Sequence, residues 1–460
     1  MLSAVFTDMS RPLRATSRLL ALNTLCELQQ TGDPVNLIFE RLSRECRLDQ
    51  RDRQLAGALV FGILRARQYL DHIIARFSSH PLAGMRVRTL NALRIGIYQL
   101  LCMDRIPPSA AVNETVQAFK AGRQPVWLVR FVNGILRSVA RERSTLPTAD
   151  QLLVNGKPIL NHPRWLLEKW EQNFGRERAH AICRTNNRIP PLTLRVNTWL
   201  TDQKQLAARL AEISRVERGR FSSTALLLPD YRGDISGLPG YAEGLFMVQD
   251  EAAQLAGCLL AMKSGGRYLD GCAGVGGKTT HLAELLPNKA TLMAIEPEKR
   301  RYCLLQENLC RLQITGVATR HMNLASFAAE AEGLFDGILL DVPCSGTGVI
   351  GRRPDIRWNR QPEDMQGLQE QQLQLLTAAD SLLAPHGILV YATCSLEDEE
   401  NSEVIRIFLA GHPDYYLEDA GAFLPSPAKL LVDADGFFQP TPEQGLDGFF
   451  AARLRKSCSL

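Results

Sequence analysis

Apolar residues recur at three- and four-residue intervals through residues 11–143. Leu19, Leu22, Leu25 and Leu28 share one stripe with Ala15 and Ala21 beside them, the spacing of an amphipathic helix. The same period predicts later helices over about 52–77, 86–103, 110–121 and 125–142. Pro107-Pro108 ends one helix and precedes the next, because proline lacks an amide donor and disfavours helix before it. β-Branched clusters are scarce, so this segment is predicted to be all-α. Residues 144–165 read as a linker that leads to Asn161-His162-Pro163-Arg164-Trp165 and a helix over about 164–186. After Pro190-Pro191, polar and apolar residues alternate through Asn197, the period of a strand. Residues 201–248 read as a small α+β subdomain with a helix over 202–213 and several short strands.

From about 249 the pattern becomes strand–helix alternation. Strands are predicted over 267–271, 291–296, 319–322, 335–342 and 387–393, with helices over about 277–286, 298–312 and 362–383. Such alternation implies a mostly parallel, Rossmann-like α/β sheet covered on both faces. Two late apolar stretches, 414–418 and 448–454, are expected to pair antiparallel at its edge. The expected division is a helical domain over 1–145, a linker with the small α+β subdomain over 146–248, and the α/β domain over 249–460. No apolar run approaches the ~20 residues of a membrane helix. The first ten residues lack a basic start followed by an apolar core, so no signal peptide is expected.

Charge changes this picture more than composition does. With 45% hydrophobic and 22% charged residues the chain reads as globular. Its net +4 hides an asymmetry: residues 1–143 carry +10 and the remainder −6. Every cation in the basic segment except Lys120 is arginine, whose planar fork matches phosphate. A basic helical module beside an acidic α/β domain points to nucleic acid docked to an enzyme; the plainer reading is that some arginines only solvate helix faces. Eleven scattered cysteines without a Cys-x-x-Cys pair indicate neither a disulfide framework nor a zinc site, so no metal is expected and the thiols are expected to be reduced.

Three loops of the α/β segment carry candidate chemistry. Asp270-Gly-Cys-Ala-Gly-Val-Gly-Gly-Lys278 follows a strand and opens a helix; its glycines allow a sharp turn and close approach to a ligand. Glu296, 19 residues after Gly277, ends the next strand, where a carboxylate can accept bonds from both ribose hydroxyls. On its own this pair fits a dinucleotide as well as S-adenosylmethionine, and a bare turn would also explain it. Asp341-Val-Pro-Cys344 and Ala392-Thr-Cys394 follow two further strands. Either cysteine alone would more often be packing. Two thiols at one parallel-sheet edge, where open α/β folds bind ligands, suggest that one attacks an electrophilic ring and the other helps release it. That points to methylation of cytosine carbon 5.

These motifs resemble the RNA (cytosine-C5) methyltransferases of the RsmB/NOP family. The match rests on residues 270–278, 341–348, 353–358 (Arg-Pro-Asp-Ile-Arg-Trp), 391–395 and 399–402, with Pro190-Pro191, Leu194-Arg195-Val196-Asn197, Gln249-Asp250 and 447–450. The N-terminal segment resembles the helical domain of the antitermination factor NusB through 61–65, 96–100 and 131–137. That pairing is similar to the ribosomal-RNA branch of the family and covers nearly the whole chain. The resemblance implies a class I methyltransferase domain, a NusB-like RNA-binding domain, S-adenosylmethionine as methyl donor and small-subunit ribosomal RNA as substrate, acted on by a cytoplasmic monomer. It implies that Cys394 is the nucleophile, that Cys344 assists release and that Asp341 holds the base. It implies a donor site of Cys272, Ala273, Gly274, Val275, Gly276, Gly277, Lys278, Glu296, Asn323 and Asp341. Two positions depart from the family: Gly274-Val275 stand where Ala-Pro is usual, and Asn323 where aspartate is usual. The alternatives are a transfer-RNA enzyme, a DNA cytosine methyltransferase and a non-catalytic RNA-binding assembly factor.

Overall fold

The structure is a computed structural model that describes residues 16–457. The expectations for residues 1–15, Ala15 included, lie outside the described residues. The chain opens with α1 (Ser17–Thr31), α2 (Val35–Cys46), α3 (Gln50–Arg65), α4 (Arg67–Phe77), α5 (Val87–Cys102), α6 (Pro108–Lys120) and α7 (Val126–Glu142). A hairpin of β1 (Leu153–Val154) and β2 (Lys157–Pro158) leads to α8 (Arg164–Phe174) and α9 (Arg176–Asn186). Next come β3 (Leu192–Val196), α10 (Gln203–Ala211), β4 (Glu217–Arg218), β5 (Ala225–Leu228), β6 (Phe246–Val248) and α11 (Glu251–Cys258). The remainder runs β7 (Arg267–Asp270), α12 (Gly277–Leu285), β8 (Thr291–Ile295), α13 (Lys299–Arg311), β9 (Val317–Arg320), α14 (Leu324–Glu330) and β10 (Phe335–Asp341). It ends with α15 (Ile356–Asn359), α16 (Asp364–Asp380), β11 (Leu383–Thr393), α17 (Ser402–Gly411), β12 (Tyr415–Glu418) and β13 (Phe450–Lys456).

By its contacts the chain forms two units, one of residues up to Asn187 with Arg353–Asn359, the other of Arg188–Arg352 with Arg360 onward. The boundary at Asn187 runs inside the expected 146–248 segment. The first unit is helical, apart from the β1–β2 hairpin. The Thr16 hydroxyl caps α1 at the Leu19 amide, and Gly32, with φ 71°, ends it. Leu22, Leu25 and Leu28 are buried as their spacing predicts, each worth about 1.5–3 kcal/mol of apolar burial, whereas Leu19, in the first turn, is only partly buried. The expected 52–77 helix is two, broken at Ala66. At that break the Leu64 carbonyl accepts the Trp358 indole N–H at 2.7 Å, a partner 294 positions away that no local pattern announces. The expected 164–186 helix also divides, at Gly175 with φ 77°.

In the second unit β4-β5-β3-β6 form an antiparallel sheet. The larger sheet runs β12-β13-β11-β10-β7-β8-β9, parallel from β11 to β9, with β13 antiparallel to both β11 and β12. Ile338, Leu340, Leu389 and Tyr391 enter one buried cluster and Leu339, Val390 and Ala392 the other. Both faces are therefore covered, which is why β10 and β11 read as unbroken apolar runs. β11 starts four residues before the expected 387 because Pro385 and Gly387 lie in an irregularity between the Phe335–Leu383 and Gly337–Ile388 pairs.

Candidate active site

Parallel strands bring their C-terminal ends to one edge, so the loops after β7, β8, β10 and β11 are neighbours. After β7 the chain turns through Gly274 (φ 56°) and Gly276 (φ 90°) into α12. The Gly274 amide donates to Glu296 Oε2 at 2.9 Å, and Glu296 Oε1 accepts the Glu298 amide at 2.8 Å. A β-carbon on Gly274 would meet nothing within 4 Å, so space lies open above that backbone; one on Gly276 would come within 2.7 Å of Leu305. The loop therefore needs glycine at 276 for packing and at both positions for φ. Below it, buried Asp270 accepts the Thr279 hydroxyl at 2.7 Å. Burial pushes the Asp270 carboxyl up to about 6, against the pull of Thr279. Burial likewise pushes the Cys272 thiol well up, reinforced by the carboxylates of Asp270, Asp341 and Glu296.

Val275 is 40% exposed, and its carbonyl accepts the Asn308 amide at 2.9 Å. That bond holds the position where the family has proline. Lys278, the second residue of α12, places Nζ 2.5 Å from Asp341 Oδ2 and 5.0 Å from the centre of the Phe449 ring. Asn323 follows β9, as expected, and caps α14, its side-chain oxygen accepting the Ser326 amide at 2.7 Å. One lone pair of that oxygen remains for a ligand amine.

The two cysteines meet. Asp341 and Ala392 are register partners on β10 and β11, and beyond them the Cys344 and Cys394 sulfurs lie 3.3 Å apart. Both are free and partly buried thiols. Pairing with Cys394 is the largest factor pushing the Cys344 thiol well up; burial follows, then the charges of Cys394, Glu400 and Asp341. Cys344 is thus a thiol that gives up its proton less readily than a free one, in contact with the Cys394 sulfur.

The structure adds residues to which the sequence reading gave no role. Glu400 is fully buried, with Oε1 accepting the Ser345 amide at 2.8 Å and the Gln372 amide at 3.0 Å. Its Oε2 accepts the Ser395 hydroxyl at 2.6 Å. One carboxylate thus ties the residue after Cys344 to the residue after Cys394. Asn401 donates to the Ser395 carbonyl at 3.0 Å and accepts the Thr393 hydroxyl at 2.6 Å. Arg360 donates to the Ser345 carbonyl at 3.1 Å. The signal for Glu400 and Asn401 was the Glu399-Glu-Asn-Ser402 motif, which showed no chemistry without the loops it touches. Among the described residues, no group of three or more His, Cys, Asp or Glu side chains could hold a metal ion.

Comparison with known proteins agrees across the chain. The family described as 16S rRNA methyltransferase RsmB/F matches residues 257–455, the NusB family 15–141, and an RsmF/B-like ferredoxin-like domain 162–232. A protein of Bacillus subtilis named probable ribosomal RNA small subunit methyltransferase B is 34% identical over 96% of this chain and 99% of its own. The ribosomal RNA small subunit methyltransferase B of Pseudomonas putida is 37% identical over 89% of this chain and 92% of its own. The crystal structure of PH0851 superposes with a TM-score of 0.77 at 25% identity, covering 97% of this chain and all of that one.

Proposed function

Since the chain belongs to the RsmB/F family of 16S ribosomal RNA methyltransferases, we propose that it methylates carbon 5 of a cytosine in small-subunit ribosomal RNA. The observation that carries the chemistry is the pair of thiols, 3.3 Å apart, at the ends of adjacent strands beside the glycine loop. S-adenosylmethionine, when bound, supplies an electrophilic methyl group. Residues 272–278, Glu296, Asn323 and Asp341 hold it; the open space above Gly274 and the carboxylate beside that loop fit such a ligand. The Val275 and Asn323 departures leave this fit intact, through the Asn308 bond and the free lone pair.

The Cys394 thiolate adds to carbon 6 of the ring, which makes carbon 5 enamine-like and nucleophilic. Asp341, held by Lys278, accepts from the exocyclic amine, and a proton shared between it and ring nitrogen 3 neutralises the negative charge that develops there as the thiolate adds. Once carbon 5 is methylated it loses its proton to a base, the carbon 6–sulfur bond breaks and Cys394 leaves as thiolate. Cys344, protonated and in contact with that sulfur, assists the departure. Glu400 keeps the two loops at working distance.

The target base must leave its stack to reach these groups, so a loop or opened segment is the substrate form. In this reading residues 1–145 dock RNA, 146–248 help recognise it and 249–460 perform the transfer. The protein works as a monomer in the cytoplasm, and no described helix is long and apolar enough to cross a membrane. Bisulfite sequencing of small-subunit ribosomal RNA from cells with and without this protein tests the reading. One protected cytosine should become convertible when the protein is absent, and an unchanged pattern would refute it.

A further inference from the structure

Helix α7 buries Leu128, Val129, Val132, Ile135, Leu136 and Val139. Its outer face carries Trp127, Arg130, Gly134, Arg137 and Arg141, all exposed. Steps of three and four residues place these five on one stripe, about 21 Å long at the helical rise. Two features set it apart from an ordinary solvated face. Trp127 is 68% exposed, unusual for a large aromatic ring on a soluble surface. Among the described residues none of the three arginines is in an ion pair, whereas Arg41 pairs with Glu27 and Glu45, and Arg164 with Glu168. Glu142, the acid nearest the stripe in sequence, lies 4.0 Å from Arg76. Gly134 leaves the middle open, since a β-carbon there would meet nothing within 4 Å.

We propose that this stripe is a docking face for single-stranded RNA, with Arg130, Arg137 and Arg141 on phosphates and the Trp127 indole stacked on an unpaired base. The inference rests on the reading of the chain as an RNA methyltransferase and says which surface of the helical unit meets the RNA. Charge decides the occupant. One aromatic ring, with exposed Val126 beside it, among three arginines outside ion pairs, of which Arg141 donates to the Ser138 hydroxyl at 3.1 Å, in a segment of net +10, suits a polyanion with stackable bases. A protein partner would call for a larger apolar patch than Val126 and Trp127 make.

The test is fluorescence-anisotropy titration of the full-length protein with a labelled single-stranded RNA of mixed sequence across a salt series, with methyl transfer to small-subunit RNA measured in parallel. Trp127→Ala should weaken binding about 5- to 150-fold, the range for one lost stack, and Trp127→Phe should restore most of it. Arg130→Gln/Arg137→Gln should lower the slope of log affinity against log salt by about 0.7 for each lost phosphate contact. Arg41→Gln, at a cation already paired with acids, should leave the slope unchanged. Stripe variants that bind with wild-type affinity and slope would overturn the proposal, as would an equal loss in Arg41→Gln. Wild-type protein that transfers no methyl group would instead defeat the functional reading, whatever the binding shows.

Discussion

Two sulfurs 3.3 Å apart and one carboxylate beneath them hold the chemistry of this site. The sequence placed Cys344 and Cys394 after separate strands, and parallel pairing was enough to expect them at one edge. It did not reveal that Glu400 links them, because three of its donors come from residues 345, 372 and 395. Glu400→Ala removes the acceptor that these donors share, leaving the Ser345 amide without its side-chain partner at a cost of about 1–3 kcal/mol, and releases both loops. Misplacement by an ångström can cost about 100-fold in rate. The expected outcome is a fall in kcat of that order with donor affinity unchanged, because the glycine loop and Glu296 do not depend on this carboxylate. Kinetics with calorimetry would check it, and near-normal kcat would remove Glu400 from the positioning role.

Among the elements, strands of the α/β segment were the most legible, because doubly covered strands read as plain apolar runs. Helices were less so. α2 carries helical spacing at Val35, Ile38, Phe39 and Leu42, yet Gly32-Asp33-Pro34 before it reads as a break. α14, seven residues long, is too short to show a period. The ends of β10, β11 and β13 are joined by contacts invisible in sequence. The Gly348 amide donates to the Cys394 carbonyl at 2.9 Å and the Gly448 amide to the Gly348 carbonyl at 2.8 Å. A β-carbon on Gly348 would sit 2.2 Å from the Gly448 oxygen, a clash with backbone. Gly348→Ala should therefore destabilise the protein by about 1–3 kcal/mol and reduce methyl transfer. Denaturant unfolding beside a transfer assay measures both, and an unchanged midpoint with full activity would contradict this contact.

In the whole molecule, residues 353–358 fall inside the match to the methyltransferase family and, by their contacts, group with the helical unit. Arg357 is fully buried and donates to the Asn161 and Asn186 carbonyls at 2.9 Å and to the Asn187 side chain at 2.6 Å. Burial lowers its guanidinium to about 9. Sequence could not show this, since the acceptors lie 170 or more positions away. Arg357→Met leaves those acceptors unpaired and should cost about 3 kcal/mol or more, read as a lower urea midpoint; wild-type stability would mean that the segment is not an integral part of the unit. The division of labour between the thiols is tested on the intact enzyme with its RNA and S-adenosylmethionine, by denaturing electrophoresis of Cys344→Ala, Cys394→Ala and the double variant. Cys344→Ala should accumulate a covalent protein–RNA adduct that needs both the methyl donor and Cys394, while Cys394→Ala and the double variant show none. An adduct in Cys394→Ala and none in Cys344→Ala would exchange the roles of the two thiols.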